Sequence, residues 1–264
     1  MKRRGVRRTS LTLQHQDLSP LGLEAPPAFL GRFSPEGLQQ ELDAAGITQA
    51  LADRGYGAVE RRIESHDGEH RLRLWDRTDG GLLVDLRLAE STATALPAPL
   101  GAQGVEPLQA LVVLWVALQD PRAPFTERKP RLPGQDHPGL GVGRRVYEML
   151  RAWCERWGKD ALVNVPEYYH NAVFYASSFR FLAAAEQGRF EALRRDLAHL
   201  HVAEASTAID RRRVFEEPAG RPFDWDPGDM AAPVAPRLQA ALQSDDYVAE
   251  VAAARDAVRF TVIG

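Results

Sequence analysis

The sequence predicts an α/β fold in which a mixed, mostly antiparallel sheet is flanked by helices and followed by a C-terminal helical extension. Three observations predict it. Between Ala58 and Glu90 the apolar and polar residues alternate in "VERRIES", "HRLRLWDR" and "GLLVDLRLAE", and the breaks between them are "HDGE" and "TDGG". Asp-Gly between alternating runs is a strong hairpin signal, because both residues tolerate the positive φ of a tight turn. Next comes "LQALVVLWVAL", too continuous for a strand with one wet face and too short to span a bilayer, so it reads as a buried central strand. Finally, Val142, Val146, Met149, Leu150, Trp153 and Trp157 recur at helical spacing ahead of Gly158, which reads as the C′ stop of an amphipathic helix.

The remaining elements follow in order. "SPEGLQQELDAAGITQALADRGYG" opens with Ser34 as N-cap, Pro35 at N1 and Glu36 in the first turn. Leu38, Leu42, Ile47 and Leu51 supply its apolar face, and Gly46 predicts a break into two short helices. Behind the amphipathic helix, "ALVNV" reads as a strand, "EYYHNAVFYAS" as a short helix, "FRFLA" as a last strand and "EQGRFEALRRDLAHL" as a helix. "EEPAGRPFDWDPGDMAAPVAP" reads as a polar, Pro-rich linker to a helical piece from about Pro236 to Val258. The chain thus divides into a basic N-terminal arm (1–28), a central domain (29–200) and a linker with helical extension (201–264).

Composition narrows the function classes. With 264 residues, 44% hydrophobic and 26% charged, the chain has ample material for a core, and its net charge of −3 makes it no match for nucleic acid or an anionic membrane. The first ten residues, "MKRRGVRRTS", carry five Lys/Arg; they read as a solvated terminus, with contact to RNA or phospholipid as the alternative. The single cysteine, Cys154, excludes an internal disulfide and lies between Trp153 and Trp157 as a packed thiol. His199-x-His201 and His66-x3-His70 lack the partners of a metal site, and "FDWDPGD" lacks the glycine and terminal Glu of a calcium loop, so no metal is expected and the latter reads as an acidic turn. The absence of an apolar leader leads to the expectation of a cytoplasmic protein.

The segment most in need of explanation is "PGQDHPGLGVGRR" (133–145), with four glycines directly before the amphipathic helix. Gly134 and Gly139 have P-loop spacing, but Leu140 and Gly141 stand where Lys and Ser/Thr belong. A dinucleotide fingerprint fails too: Gly143 comes one residue early, and the preceding strand lies about twenty residues upstream. What remains is Gly139-Leu140-Gly141-Val142-Gly143-Arg144 running into a helix, where bare N–H groups and the positive end of the dipole form a natural pyrophosphate cradle. Arg144 and Arg145 add positive charge. Tight loop-to-helix packing is the structural alternative.

"HPGLGVGRRVYEML" resembles the acetyl-CoA pyrophosphate loop and following helix of the GNAT superfamily of N-acetyltransferases, and "ALVNVPEYYHNAVFYASSFRF" resembles that family's next strand, Asn-containing short helix and final aromatic strand. The similarity is most specific over residues 111–182. Pro138 replaces the family's usual Gln or Arg, and Phe179-Arg180-Phe181 replaces its usual Gly-Phe. The resemblance implies a CoA-dependent N-acyltransferase with a GNAT-like sheet, taking acetyl-CoA or another acyl-CoA as co-substrate and a small-molecule or peptide amine as acceptor. It places Gly139, Leu140, Gly141, Val142, Gly143 and Arg144 at the pyrophosphate, the backbone of Val116 and Leu118 at the pantetheine arm, and Asn171 on the coenzyme side of the short helix. Tyr175 would protonate the departing thiolate, or else pack as an aromatic beside Phe174. A neutral amine must lose a proton, for which Glu167, His170, His137 and Asp120 are candidates near strand ends. A homodimer is compatible with this reading. Two alternatives stay open: a GNAT-like module without catalysis, and a donor that is a longer acyl-CoA or an acyl carrier protein.

Overall fold

The computed structural model describes residues 28–263, so the basic arm falls, but for its last residue, outside the described residues. Ser34 Oγ accepts the Gly37 N–H at 3.1 Å and Pro35 presets φ, starting α1 (Pro35–Ala44) where the sequence predicts. Gly46, at φ 67°, makes the left-handed turn into α2 (Ile47–Ala52). The meander follows as β1 (Val59–His66), β2 (Glu69–Asp76) and β3 (Leu82–Ala93), all antiparallel, with Asp67 and Gly68 both at positive φ in the first turn. After a 3₁₀ turn at Leu100–Gln103 comes β4 (Leu108–Leu118), antiparallel to β3.

A parallel neighbour requires a crossover. Here it is α3 (Gly143–Arg156), which returns the chain to β5 (Ala161–Asn164) beside β4. Then follow α4 (Tyr169–Tyr175), β6 (Arg180–Phe181), α5 (Ala184–Asp196), α6 (Val202–Asp210), β7 (Val214–Glu217), β8 (Arg221–Pro222), β9 (Met230–Pro233), α7 (Pro236–Ala241), α8 (Asp245–Asp256) and β10 (Arg259–Val262). The main sheet has the order β1-β2-β3-β4-β5-β9-β6, and β10-β7-β8 form a second, small sheet. The protein is therefore an α/β fold with a mostly antiparallel seven-stranded sheet flanked by helices.

Three expectations need correction. "FRFLA" supplies only the two residues of β6, and it is not the last strand of the main sheet. That strand is β9, inserted antiparallel between β5 and β6, and it comes from the segment read as a linker. Its Met230, Ala231 and Ala232 are almost wholly buried; a run this short shows no periodicity, so its strand character emerges only from its neighbours. The same segment holds the end of β7 and all of β8, and "FDWDPGD" is an irregular stretch without a turn, in which Phe223 and Trp225 are buried and Trp225 Nε1 donates to the Pro166 carbonyl at 3.0 Å. The Ala-rich helix α6 was not anticipated.

Two apolar clusters cover the faces of the sheet. Leu111 and Leu162 belong to the cluster containing α1 and α3; Ala110, Val112, Ala161 and Val163 belong to the cluster under α7 and α8. Alternate residues of β4 and β5 thus enter different cores, which accounts for their continuous apolar runs. Cys154 is buried, its thiol directed at the Ala161 carbonyl and pushed up to about 12 by burial, an inert packing residue. No described helix is long and apolar enough to cross a membrane.

Candidate active site

The buried-strand expectation holds for only half of β4. Pairing with β5 runs from Ala110 opposite Ala161 to Val113 opposite Asn164 and stops there, while β4 continues five residues to Leu118, paired on its β3 side alone. Every residue from Val113 to Leu118 is half-buried. A bulge at Leu114, where Val113 faces Leu88 and Trp115 already faces Arg87, marks the change. The sheet therefore forks between β4 and β5. Gln119 N–H bonds β3 through the Leu83 carbonyl, whereas the Leu118 carbonyl points the other way and accepts the Leu140 N–H at 3.0 Å. Backbone groups two residues apart in a strand point alike, so Val116 aims its N–H and C=O into the fork. Of the two backbone positions that the resemblance implies for the pantetheine arm, Val116 is open and the Leu118 carbonyl is already engaged.

The glycine row lies at the tip of β4, held by the Leu140 bond and by Asp120 N–H on the Pro138 carbonyl at 2.8 Å. Exposure alternates along it: Leu140 and Val142 are fully buried, while Gly139, Gly141 and Gly143 face outward. Leu140 and Val142, expected at the coenzyme, are thus anchors whose side chains lie in the core. The three glycines divide into two kinds. Gly141 has φ 76°, and a Cβ there would meet Arg54 Nη2 at 2.8 Å, so the chain itself needs that glycine. Gly139 and Gly143 have ordinary φ, and a Cβ would find nothing nearer than the Leu118 carbonyl oxygen at 3.9 Å and Leu118 Cδ1 at 3.8 Å respectively. The fold would accept a side chain at both.

Helix α3 begins with Val142 as N-cap, which offers no side-chain acceptor to the N–H groups of Gly143, Arg144 and Arg145. Exposed guanidinium groups gather there. Arg54, held by the Ala50 carbonyl at 2.8 Å, lies at Gly141; Arg145 lies at Gly46, where a Cβ would come within 2.6 Å of its Nη1; Arg144 pairs with Glu148 at 2.8 Å. Bare backbone, a helix dipole and nearby guanidinium groups suit an anion. Arg54 was not legible in the sequence: it sits on no motif and reaches the site only through the packing of α2.

The β5 arm of the fork leads into α4. Asn171, expected on the coenzyme side of this helix, caps it: its Oδ1 accepts the Tyr168 N–H at 3.0 Å. Tyr175 does not pack beside Phe174. Its ring lies 5.6 Å from Phe179, which in turn lies 5.7 Å from Tyr147 of α3, linking α4 to the second turn of the glycine-led helix. Phe174 is 55% exposed and meets His170 edge-on. Burial raises the Tyr175 phenol above its ordinary value and keeps it protonated. Tyr168 rests on Gly134, where a Cβ would be 2.5 Å from the ring, so the long loop after β4 bridges the two arms of the fork.

The expected bases fare differently. His170 is 2% exposed, with Nδ1 2.8 Å from Ser206 Oγ of α6, and burial pushes its pKa down to about 4. At five residues' separation it projects about 140° around α4 from Tyr175. It is a neutral packing residue. Asp120 accepts the Tyr56 hydroxyl at 2.6 Å and the N–H groups of Arg122 and Ala123, while Arg122 pairs with Asp76 and Asp79 and stacks on Tyr56; this carboxylate builds the turn after β4. Glu167, in the loop from β5 to α4, and His137, two residues before Gly139, are half-buried beside the fork's two arms.

A cavity of about 350 Å³ lies elsewhere, between α5 and the β8–β9 connection, lined by Phe181, Glu186, Arg189, Phe223 and Trp225 among others. None of the residues expected at the coenzyme or in catalysis lines it. No protein-family model matches the chain, and no curated protein does.

Proposed function

We propose that this protein is a CoA-dependent N-acyltransferase of GNAT type, with its coenzyme in the fork between β4 and β5 and its amine acceptor brought to the thioester there. One observation carries the reading: Gly139 and Gly143 present bare, outward-facing backbone beside an uncapped helix start, at positions where the protein's own packing would admit a side chain. A close-approaching phosphate accounts for glycine there. The half-open, apolar stretch Leu114–Leu118 gives the pantetheine arm a bed, with Val116 as its backbone partner. The amine nitrogen attacks the thioester carbonyl, the C–S bond breaks, and Tyr175 gives the leaving thiolate its proton. Glu167 or an ordered water takes the proton from the amine.

The test is Gly143→Ala. Alanine at a first helical position, with room for its Cβ, leaves stability unchanged or raises it by up to about 1 kcal/mol. If the glycine serves a phosphate, calorimetry with acetyl-CoA should show at least about tenfold weaker binding in the folded variant, which is about 1.4 kcal/mol. Undiminished affinity refutes the phosphate role, and a marked fall in melting temperature would return the glycine to packing.

A further inference from the structure

Asn164 is the last residue of β5 and is 7% exposed. Its Oδ1 is buried without a hydrogen-bond partner among the described residues. Buried polar side-chain atoms are nearly always satisfied, because the hydrogen bonds lost on leaving water are otherwise not replaced. An orphan acceptor therefore asks which donor it awaits.

Register fixes where the amide lies. Asn164 stands in parallel register with Val113 of β4 and opposite Met230 of β9. Val113, Met230 and Leu162, two residues earlier, all belong to or pack against the cluster that includes Leu140, Val142, Val146 and Tyr175. The Asn164 amide thus lies on the sheet face that carries the glycine row and Tyr175, at the last paired rung below the fork. From Leu118, where the glycine row bonds β4, down to Val113 is five residues, about 17 Å of strand. That span is comparable to an extended pantetheine arm. With phosphate at the glycine row, the arm's thioester end reaches the fork base, beside the Leu114 bulge and Asn164.

We propose that Asn164 is a further coenzyme-binding residue: its Oδ1 accepts the N–H of the pantetheine amide nearer the thioester and so fixes the depth at which the reacting carbonyl stops. This rests on the coenzyme reading above. It also gives a side-chain polar contact to a site where the Asn171 oxygen is engaged in capping α4.

The experiment compares CoA with ADP, which carries the pyrophosphate and lacks the arm. Wild type and Asn164→Leu, of nearly the same shape, are titrated with both by calorimetry and melted without ligand. ADP affinity should be equal in the two proteins, CoA affinity roughly three- to tenfold weaker in the variant, and the ligand-free variant at least as heat-stable as wild type, since an orphan acceptor has been removed. Asn164→Ala should give the same split between CoA and ADP if the leucine variant fails to fold. Equal CoA affinity overturns the proposal. So does a lower melting temperature with CoA and ADP weakened alike, which would mean that an internal water satisfies Asn164 as a purely structural group. Wild type binding neither CoA nor ADP would instead remove the coenzyme reading itself.

Discussion

The two halves of β4 share one strand, one sheet and one apolar composition, yet they end in opposite environments. From Leu108 to Val112 the residues facing the two cores are sealed by β3, β5 and helices on both faces; from Leu114 to Leu118 the strand keeps β3 but loses β5, and its residues are half-buried. Hydrophobicity alone does not say whether an apolar strand is core or binding surface. What decides is the length of its neighbour: β5 is four residues long and stops at Asn164, so the longer β4 overhangs it. The lower half is sealed in the core, and the upper half stays half-open, which is why the proposed coenzyme is placed there.

The largest expected effect comes from Tyr175→Phe, which tests the coenzyme proposed for the open half. The ring that packs on Phe179 is kept and only the hydroxyl is lost, so stability should hold while turnover falls roughly 10²–10⁴-fold, as for a lost general acid. CoA release from a panel of amines, followed with a thiol-reactive dye, reads it; near-normal turnover in the variant would remove Tyr175 as the acid.

Next in size is one truncation made in both halves. Leu111 and Leu118 lie on the same face of the same strand, fully buried and half-buried respectively. Leu111→Ala should lower unfolding stability by about 2–5 kcal/mol, because a cavity opens in a sealed core. Leu118→Ala should cost about 1 kcal/mol, in proportion to the smaller area it buries. Comparable losses from urea titrations would mean that the upper half is sealed too.

A third test belongs to the closed side of α4. His170 is neutral in the fold, with a pKa near 4 against an ordinary 6.5. Between those values the unfolded chain binds a proton that the native one does not. Stability is therefore full above about pH 6.5 and falls as the pH drops toward 4, by about 2 kcal/mol at pH 5. In His170→Gln that component should vanish. If urea midpoints at pH 7 and 5 shift equally in both proteins, His170 is not the buried neutral group described.

Much of the architecture was legible in the chain because its signals are local. Ser34-Pro35, Gly46, Asp67-Gly68 and the Val142–Trp157 spacing each act within a few residues, and each element formed where predicted. Illegible were the pieces that acquire their role from distant neighbours. Met230–Pro233 is a strand because it pairs with β5 on one side and β6 on the other, and Trp225 is core because Tyr169, Phe190 and Phe223 surround its ring and Pro166 offers its indole an acceptor. The site divides in the same way. The outward glycines and Tyr175 stood out as a pattern, whereas the place of Arg54 and the burial of His170 depend on residues tens of positions away or on a helix, α6, that the pattern did not announce.

By itself the sequence determined the alternation of strands and the helix that starts at bare glycine. These follow from backbone sterics and hydrophobic periodicity, which need only neighbouring residues. Tertiary structure alone decided that Gly141 is required by its positive φ while Gly139 and Gly143 are not, and that the sheet opens beyond Val113. Those outcomes depend on which atoms approach from elsewhere in the fold and on where one strand ends beside another, distances that no local pattern encodes.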